Sequence, residues 1–473
     1  MKSFRISILV VAAALMIMGI AGTTYAFHDG GVATCESCHT MHNSLNGSIV
    51  MLSKFGSNYA SNPTEFNNAT QFLLHGSDQS STCLNCHASN DAAGAESSYH
   101  IMSEAPGGIP SERTPGGDFA WLTVSGTGTV NPANHHGHNI VAADFGLTSS
   151  TNYAANGNVS PGGSYPIAKL YCSSCHNPHS DYRYDSGGNL VQRTIGANVG
   201  PIIGSGSYGN SGALPPAGET IGVYRFLGGA GYIPKSISAS NPSAAFTAAP
   251  PIAVAPSSYN KSESGATLNN NEVVRVAYGS GMSEWCGNCH SGIVNGTADI
   301  GASGAQHRHP AGAAAILANT TEGGNEAGNY NAYLGSGDLA GTQSSSYNSL
   351  VPYEEGVGMA NYTTSLYSHA SATAGGSGSG PITGTENVMC LSCHRAHASA
   401  FPEMTRWDAQ AGEMIVEMGQ YTGTDNTSTG ASRTAAALGY SQAQLQAAYY
   451  DRNPATTFAY DQRSLCNKCH AKD

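Results

Sequence analysis

The residues of this chain that can do chemistry are its 12 cysteines and 18 histidines, and their spacing is regular. Every cysteine falls in one of six pentapeptides: Cys35-Glu-Ser-Cys38-His39, Cys83-Leu-Asn-Cys86-His87, Cys172-Ser-Ser-Cys175-His176, Cys286-Gly-Asn-Cys289-His290, Cys390-Leu-Ser-Cys393-His394 and Cys466-Asn-Lys-Cys469-His470. Cys-x-x-Cys-His is the attachment motif of c-type haem, in which both thiols tether one porphyrin and the adjacent imidazole reaches its iron. A disulfide framework has no reason to place histidine after every second cysteine. Zinc ribbons pair their Cys-x-x-Cys units at short, repeated separations, whereas the first cysteines here lie 48, 89, 114, 104 and 76 residues apart. The pattern therefore implies six covalently bound haems c, with the 12 cysteines as anchors and His39, His87, His176, His290, His394 and His470 as proximal iron ligands.

What fills the sixth iron position separates electron carriers from catalysts. Twelve histidines remain, twice what six bis-histidine irons need. Three follow a proximal histidine by three residues: His42, His179 and His397. If the segment after each motif is helical, residues three apart share a face and cannot flank one iron. The second histidine of each pair is then placed to reach a neighbouring haem. His100, His138 and His309, in Gly/Pro/Asn-rich stretches, and His369, ahead of Cys390, complete seven candidates for six distal positions. His28, His75, His135, His136 and His307 read as outer-sphere or solvent residues, and Met41, Met282 and Met389 as filling beside porphyrin.

The elements that must position these groups are faint in the sequence. Only 11% of residues are charged and 59 are glycine, which disfavours long helices, while 40% hydrophobic content is thin for a large side-chain core. Six flat, apolar porphyrins supply that missing area. The expected fold is mostly irregular coil with short helices and very few strands, wrapped around a chain of haems. A helix is expected from the Ser441 capping box to about Asp451, with Leu445, Ala448 and Tyr449 on one face, and another over Asp408–Met418 stopped by Gly419. The β-branched run in Glu272–Tyr278 predicts a strand, and Gly196–Pro216, Ser238–Pro256 and Ser371–Gly384 read as loops. Lys2 and Arg5, the apolar run Ile6–Ile20 and Thr24-Tyr25-Ala26 read as a signal peptide over residues 1–26, leaving 27–473 as a single domain. Its net charge of −14, without a basic block, excludes nucleic acid as the default partner.

Longer strings then carry a resemblance. FHDGGVATCESCHTMHNS at Phe27 to Ser44, SSTCLNCH at Ser80 to His87, SSYHI at Ser97 to Ile101, GHNIVA at Gly137 to Ala142, CSSCHNPH at Cys172 to His179, RVAYGSGMSEWCGNCH at Arg275 to His290, RHPAG at Arg308 to Gly312, CLSCHRAHAS at Cys390 to Ser399 and LCNKCHAKD at Leu465 to Asp473 resemble the OmcS-type extracellular hexahaem cytochromes of metal-reducing bacteria. The resemblance implies a coil-dominated protomer, six bis-histidine haems in a continuous chain of stacked and T-shaped pairs, and polymerisation into filaments. It also implies that His42 crosses to the haem of Cys390 and Cys393 in the adjacent protomer. Redox donors at the periplasm or outer membrane and extracellular metal oxide or cell acceptors would be its partners. A multihaem enzyme would need an open iron, and every motif here ends in ordinary histidine with distal histidines in surplus. A discrete periplasmic carrier is the other alternative.

Overall fold

The computed structural model describes residues 35–39, 44–45, 48–49, 74–88, 100–124, 136–149, 158–193, 199–204, 206, 214–237, 244–254, 276–295, 309–319, 325–332, 351–359, 382–407, 409, 415–416, 420–421, 442–450, 466 and 469–470. The expected signal peptide, His28, His42, His135, His307 and His369 lie outside them.

Coil dominates, as composition requires. Among the described residues five helices carry haem motifs: α1 (Cys35–Cys38), α2 (Gln79–His87), α3 (Cys172–Cys175), α4 (Met282–Val294) and α6 (Cys390–Cys393), while α5 (Glu326–Ala332) and α7 (Gln442–Ala448) do not. Strands are two to four residues long: β1 (Ser44–Leu45), β2 (Ser48–Ile49), β3 (Tyr182–Tyr184), β4 (Leu190–Gln192), β5 (Ile202–Gly204), β6 (Thr220–Gly222), β7 (Ile252–Val254), β8 (Ala277–Ser280), β9 (Ile415–Val416) and β10 (Gln420–Tyr421). One sheet has the order β4-β3-β6-β5, in which only β5 and β6 run parallel, and the rest are antiparallel pairs. Buried apolar side chains in the described residues form four separate clusters, around Phe401 and Tyr449, Tyr182 and Ile221, Met282 and Met389, and Leu84 and Phe145.

Helices α1, α3 and α6 are short for a local reason. The proximal N–H closes one turn onto the carbonyl of its motif's first cysteine, at 2.9 Å for His39 and 3.0 Å for His176 and His394, and at 3.1 Å for His470 of the sixth motif. In α3 and α6 the inner serine caps the turn: Ser174 Oγ accepts from Tyr171 N–H at 2.9 Å and Ser392 Oγ from Met389 N–H at 3.0 Å. The chain then leaves the helix, with His176 at φ −98°, ψ 133° and His394 at φ −110°, ψ 159°. In the third and fifth motifs this corrects the expected helix after the motif, which Pro178 would oppose in the third, whereas α4 of the fourth runs on past His290 (φ −117°, ψ 40°) to Val294. A tight left-handed turn clasps each of the two extended histidines, His176 and His394. Arg225 and Phe226 (φ 52° and 53°) accept at Phe226 from Asn177 N–H at 2.6 Å, while Glu403 and Met404 (φ 56° and 52°) accept at Met404 from Arg395 N–H at 2.8 Å. Bulky residues rarely take such angles, and the second cysteine's carbonyl adds a further tie, accepting from Gly228 N–H at 2.9 Å and Arg406 N–H at 2.7 Å.

Motifs two and three dock as motifs four and five do. The serine three residues before the first cysteine of each longer helix accepts the N–H of the next motif's first cysteine: Ser80 from Cys172 and Ser283 from Cys390, both at 3.0 Å. Elsewhere, α7 lies within the expected helix and buries Ala448, with Tyr449 behind it. The expected helix over 408–418 is overturned, because Ile415–Val416 pairs with Gln420–Tyr421, so the β-branched pair favours a hairpin with Gly419 between its arms. The expected strand near Tyr278 begins at Ala277, and the loops at 196–216 and 238–256 contain β5 and β7.

Candidate haem-binding sites

Four proximal histidines face a distant imidazole. His39 lies opposite His179 with ring centroids 6.3 Å apart and planes at 11°. His176 lies opposite His397 at 6.4 Å and 54°, His290 opposite His138 at 6.1 Å and 39°, and His470 opposite His309 at 5.9 Å and 72°. A metal bound through one nitrogen of each ring, at about 2.0 Å per bond, would hold two imidazole centroids roughly 6 Å apart. The observed gaps therefore have the width of an interposed metal ion, and the near-parallel His39–His179 pair is too far apart for face-to-face stacking. His176 and His179 face different partners, so in the third motif the divergence expected from their spacing holds although its expected cause, a helix, does not.

The second ring nitrogen is spoken for. Nδ1–H donates to a backbone carbonyl in His138 (Ala396, 2.7 Å), His176 (Arg225, 2.6 Å), His290 (Pro161, 2.8 Å), His309 (Pro310, 2.8 Å), His394 (Glu403, 2.8 Å) and His397 (Gly117, 3.2 Å). A carbonyl only accepts, so the proton sits on Nδ1 and Nε2 keeps its lone pair for a metal. The left-handed turns thus have a chemical role, since Arg225 and Glu403 are the residues whose carbonyls orient His176 and His394. Burial lowers His138 to about 4 and His397 to about 3, and it lowers His176, His179, His290 and His394 below the ordinary imidazole value. His138 and His397 stay neutral across physiological pH. Phe119 stacks on His397 at 4.7 Å and fixes its plane.

The thiols line up in chain order. Cys83 lies beside Cys172, and Cys286 beside Cys390. Cys38 feels Cys86, Cys175 feels Cys289, and Cys393 feels Cys466 and Cys469. Each motif is therefore a neighbour of the next, from first to sixth. Burial raises Cys289 and Cys393 to about 12, and Cys175 further. These buried thiols in an apolar setting fit attachment points for a porphyrin edge, as does the donor set of paired imidazoles.

The remaining candidates separate. His100 is buried beside the second motif, where Ile101 N–H donates to His87 O at 2.9 Å and Met102 bridges Ala88. His75 donates its backbone N–H to Cys38 O at 3.0 Å, and His136 places Nδ1 3.2 Å from Ser399 O. Met282 and Met389 are buried in an apolar cluster, in keeping with a filling role. The accepting carbonyls of Arg225, Glu403 and Pro161 were not readable from sequence, because a backbone oxygen carries no residue signature.

No family model matches the chain. The curated C-type cytochrome OmcS of Geobacter sulfurreducens is 44% identical over 489 aligned residues, covering all of both chains. Two solved structures, a cryo-EM study of the OmcS nanowires and the Outer Membrane Cytochrome S Filament, both from Geobacter sulfurreducens, match with TM-scores of 0.72 and 0.71 at 42% and 41% identity. Each match covers 94% of this chain and 100% of the other. With the motifs, the coil-dominated fold and full-length identity in agreement, the chain belongs to the OmcS family of multihaem c-type cytochromes.

Proposed function

We propose that the protein conducts electrons outside the cell through six c-type haems, each held between two histidines, and that protomers polymerise head to tail into a filament serving external acceptors. The observation that carries this reading is the set of four imidazole pairs, each joining a motif histidine to one remote in sequence at the width of an interposed metal. Haem iron supplies a reversible one-electron couple. The chain supplies neutral imidazoles, carbonyls that fix their tautomer, and thiols that tether successive cofactors side by side. Closed irons leave no position for substrate, which favours an electron carrier over an enzyme.

The pairing has a rule. Motifs one, three and five read Cys-x-Ser-Cys-His-x-x-His, and the even motifs lack the last histidine. His397 of the fifth motif faces His176 of the third, and His179 of the third faces His39 of the first. Each thus reaches back two motifs. Carried across a subunit boundary, the same step gives His42 of one protomer to the fifth haem, on His394, in its neighbour. His100 then serves the second haem opposite His87, and His369 is the seventh candidate left unused. Residues 1–26 direct export, with periplasmic or outer-membrane donors upstream and metal oxide or cells as acceptors.

His42→Ala tests the assembly. It should retain six covalent haems and a folded protomer, abolish filaments in electron micrographs and leave one high-spin iron per chain. Normal filaments with every iron low-spin would sink the subunit link; wild-type protein that never polymerises would instead favour the discrete carrier.

A further inference from the structure

Seven described rings, His136 among them, turn Nδ1 to a backbone carbonyl, whereas His100 Nδ1 lies 2.5 Å from Oε1 of Glu112, a carboxylate. The pair is sealed from water, with His100 2% and Glu112 1% exposed. Its geometry is fixed from both sides. Glu112 N–H donates to Ser103 Oγ at 3.2 Å, as does Ser111 N–H at 3.0 Å. Ser103 in turn donates to Asp118 Oδ2 through Oγ at 2.5 Å and through N–H at 3.0 Å. On the histidine side, Ile101 is held between His87 O, which accepts its N–H at 2.9 Å, and Phe119 N–H, which donates to its carbonyl at 2.7 Å.

A buried carboxylate is stable when positive charge faces it. Across an imidazole ring, a ferric iron presents one more unit of positive charge than a ferrous iron. A carboxylate behind the ring also makes the imidazole a more basic ligand. Both effects favour the ferric state. We propose that Glu112 is a positioning residue that tunes the iron of the second motif, holding the Nδ1 proton of His100 in a charge-assisted hydrogen bond and making that iron the hardest of the six to reduce. Reduction adds one electron to the iron, forms and breaks no bond, and leaves the shared proton between Nδ1 and Oε1. The conduit would then contain a deliberate step at its second position, set by a carboxylate where seven other described rings meet a backbone carbonyl. The inference rests on His100 being the distal ligand of that iron, part of the functional reading above.

The test is a spectroelectrochemical titration of the full-length haem-loaded protein with dithionite, paired with electron paramagnetic resonance of the oxidised state. Glu112→Gln should keep all irons low-spin and raise the lowest midpoint by a 10- to 100-fold change in the ferric-to-ferrous preference, about 60–120 mV at 59 mV per tenfold for one electron. Glu112→Asp, which keeps the charge, should restore most of the wild-type value. His100→Ala should give one high-spin iron. If that variant is high-spin while Glu112→Gln leaves the lowest wave in place, the carboxylate is only structural and the tuning proposal fails while the ligand assignment stands. If His100→Ala leaves every iron low-spin, the ligand assignment itself fails and the proposal with it. Wild-type protein gives a readout that needs no glutamate variant to fold: one low-spin signal should show narrower g-anisotropy than the rest and vanish in His100→Ala, and its absence would overturn the proposal.

Discussion

Gly117→Ala is a one-carbon perturbation whose consequence can be worked from the backbone. Gly117 has φ +90°, in the left-handed region that an alanine enters at a cost of about 1–2 kcal/mol. An added Cβ would lie 2.0 Å from Ala398 O and 3.1 Å from Arg395 Cβ. Ordinary contact begins at 3.4 Å, so the Ala398 carbonyl would have to retreat by more than an ångström. It cannot do so freely, because Ala398 is fully buried and bridged to Gly137, and Ser399 N–H is tied to His136 O at 2.9 Å. Overpacking of this kind costs about 1–3 kcal/mol, giving about 2–5 kcal/mol in all. The strand that moves carries His397, whose backbone N–H donates to Gly116 O at 2.7 Å and whose Nδ1 donates to Gly117 O. The variant should therefore unfold earlier in guanidinium, followed at the Soret band, and should weaken the third haem's distal ligation, read as a partial high-spin signal. A wild-type unfolding midpoint with unchanged spectra would refute the reasoning.

Three further outcomes follow from other parts of the molecule. Burial raises the Glu354 carboxyl to about 7, against the pull of Met282 N–H at 2.6 Å, so between about pH 4.5 and 7 the folded chain holds a proton that the unfolded chain has lost. Stability should then fall by about 3 kcal/mol as pH rises through that window; a melting temperature lower at pH 8 than at pH 5, with the slope flattened in Glu354→Gln, is the expected result, and equal slopes would contradict it. Ser283→Ala strips the Cys390 N–H of its acceptor in a fully buried setting, which should cost about 1–3 kcal/mol in an unfolding titration, whereas an unchanged midpoint would make the fourth-to-fifth motif dock dispensable. The acidic chain, net −14 once residues 1–26 are removed, should become easier to reduce as salt screens its charge over about 8–10 Å, and midpoints insensitive to ionic strength would contradict this.

The chemistry was more legible in the sequence than the architecture. Cys-x-x-Cys-His is a local motif, so all 12 thiols and six proximal histidines could be read off residue by residue. Which histidine meets which is decided by contacts such as His138 with Ala396, 258 residues apart, and no local pattern encodes those. In the third motif the spacing of three gave the right divergence of rings for the wrong reason: hydrogen bonding in the motif turn ends the helix, and a left-handed clasp takes the histidine away. That clasp was hidden, because Arg225-Phe226 and Glu403-Met404 have no propensity for positive φ and are held there by tertiary bonds. Glu112 was hidden for a related reason, since its position against His100 depends on the Ser103–Asp118 strut and not on its neighbours in sequence. The 408–418 helix failed because a short apolar run with a following glycine suits a hairpin as well as a helix end.

Quantified electron paramagnetic resonance of oxidised wild-type filaments tests most directly whether histidine pairs close every iron along the chain. Six low-spin ferric irons per protomer is the expected count, one for each Cys-x-x-Cys-His. A high-spin ferric signal amounting to one iron in six would contradict it, leaving an open coordination site where a closed electron path is expected.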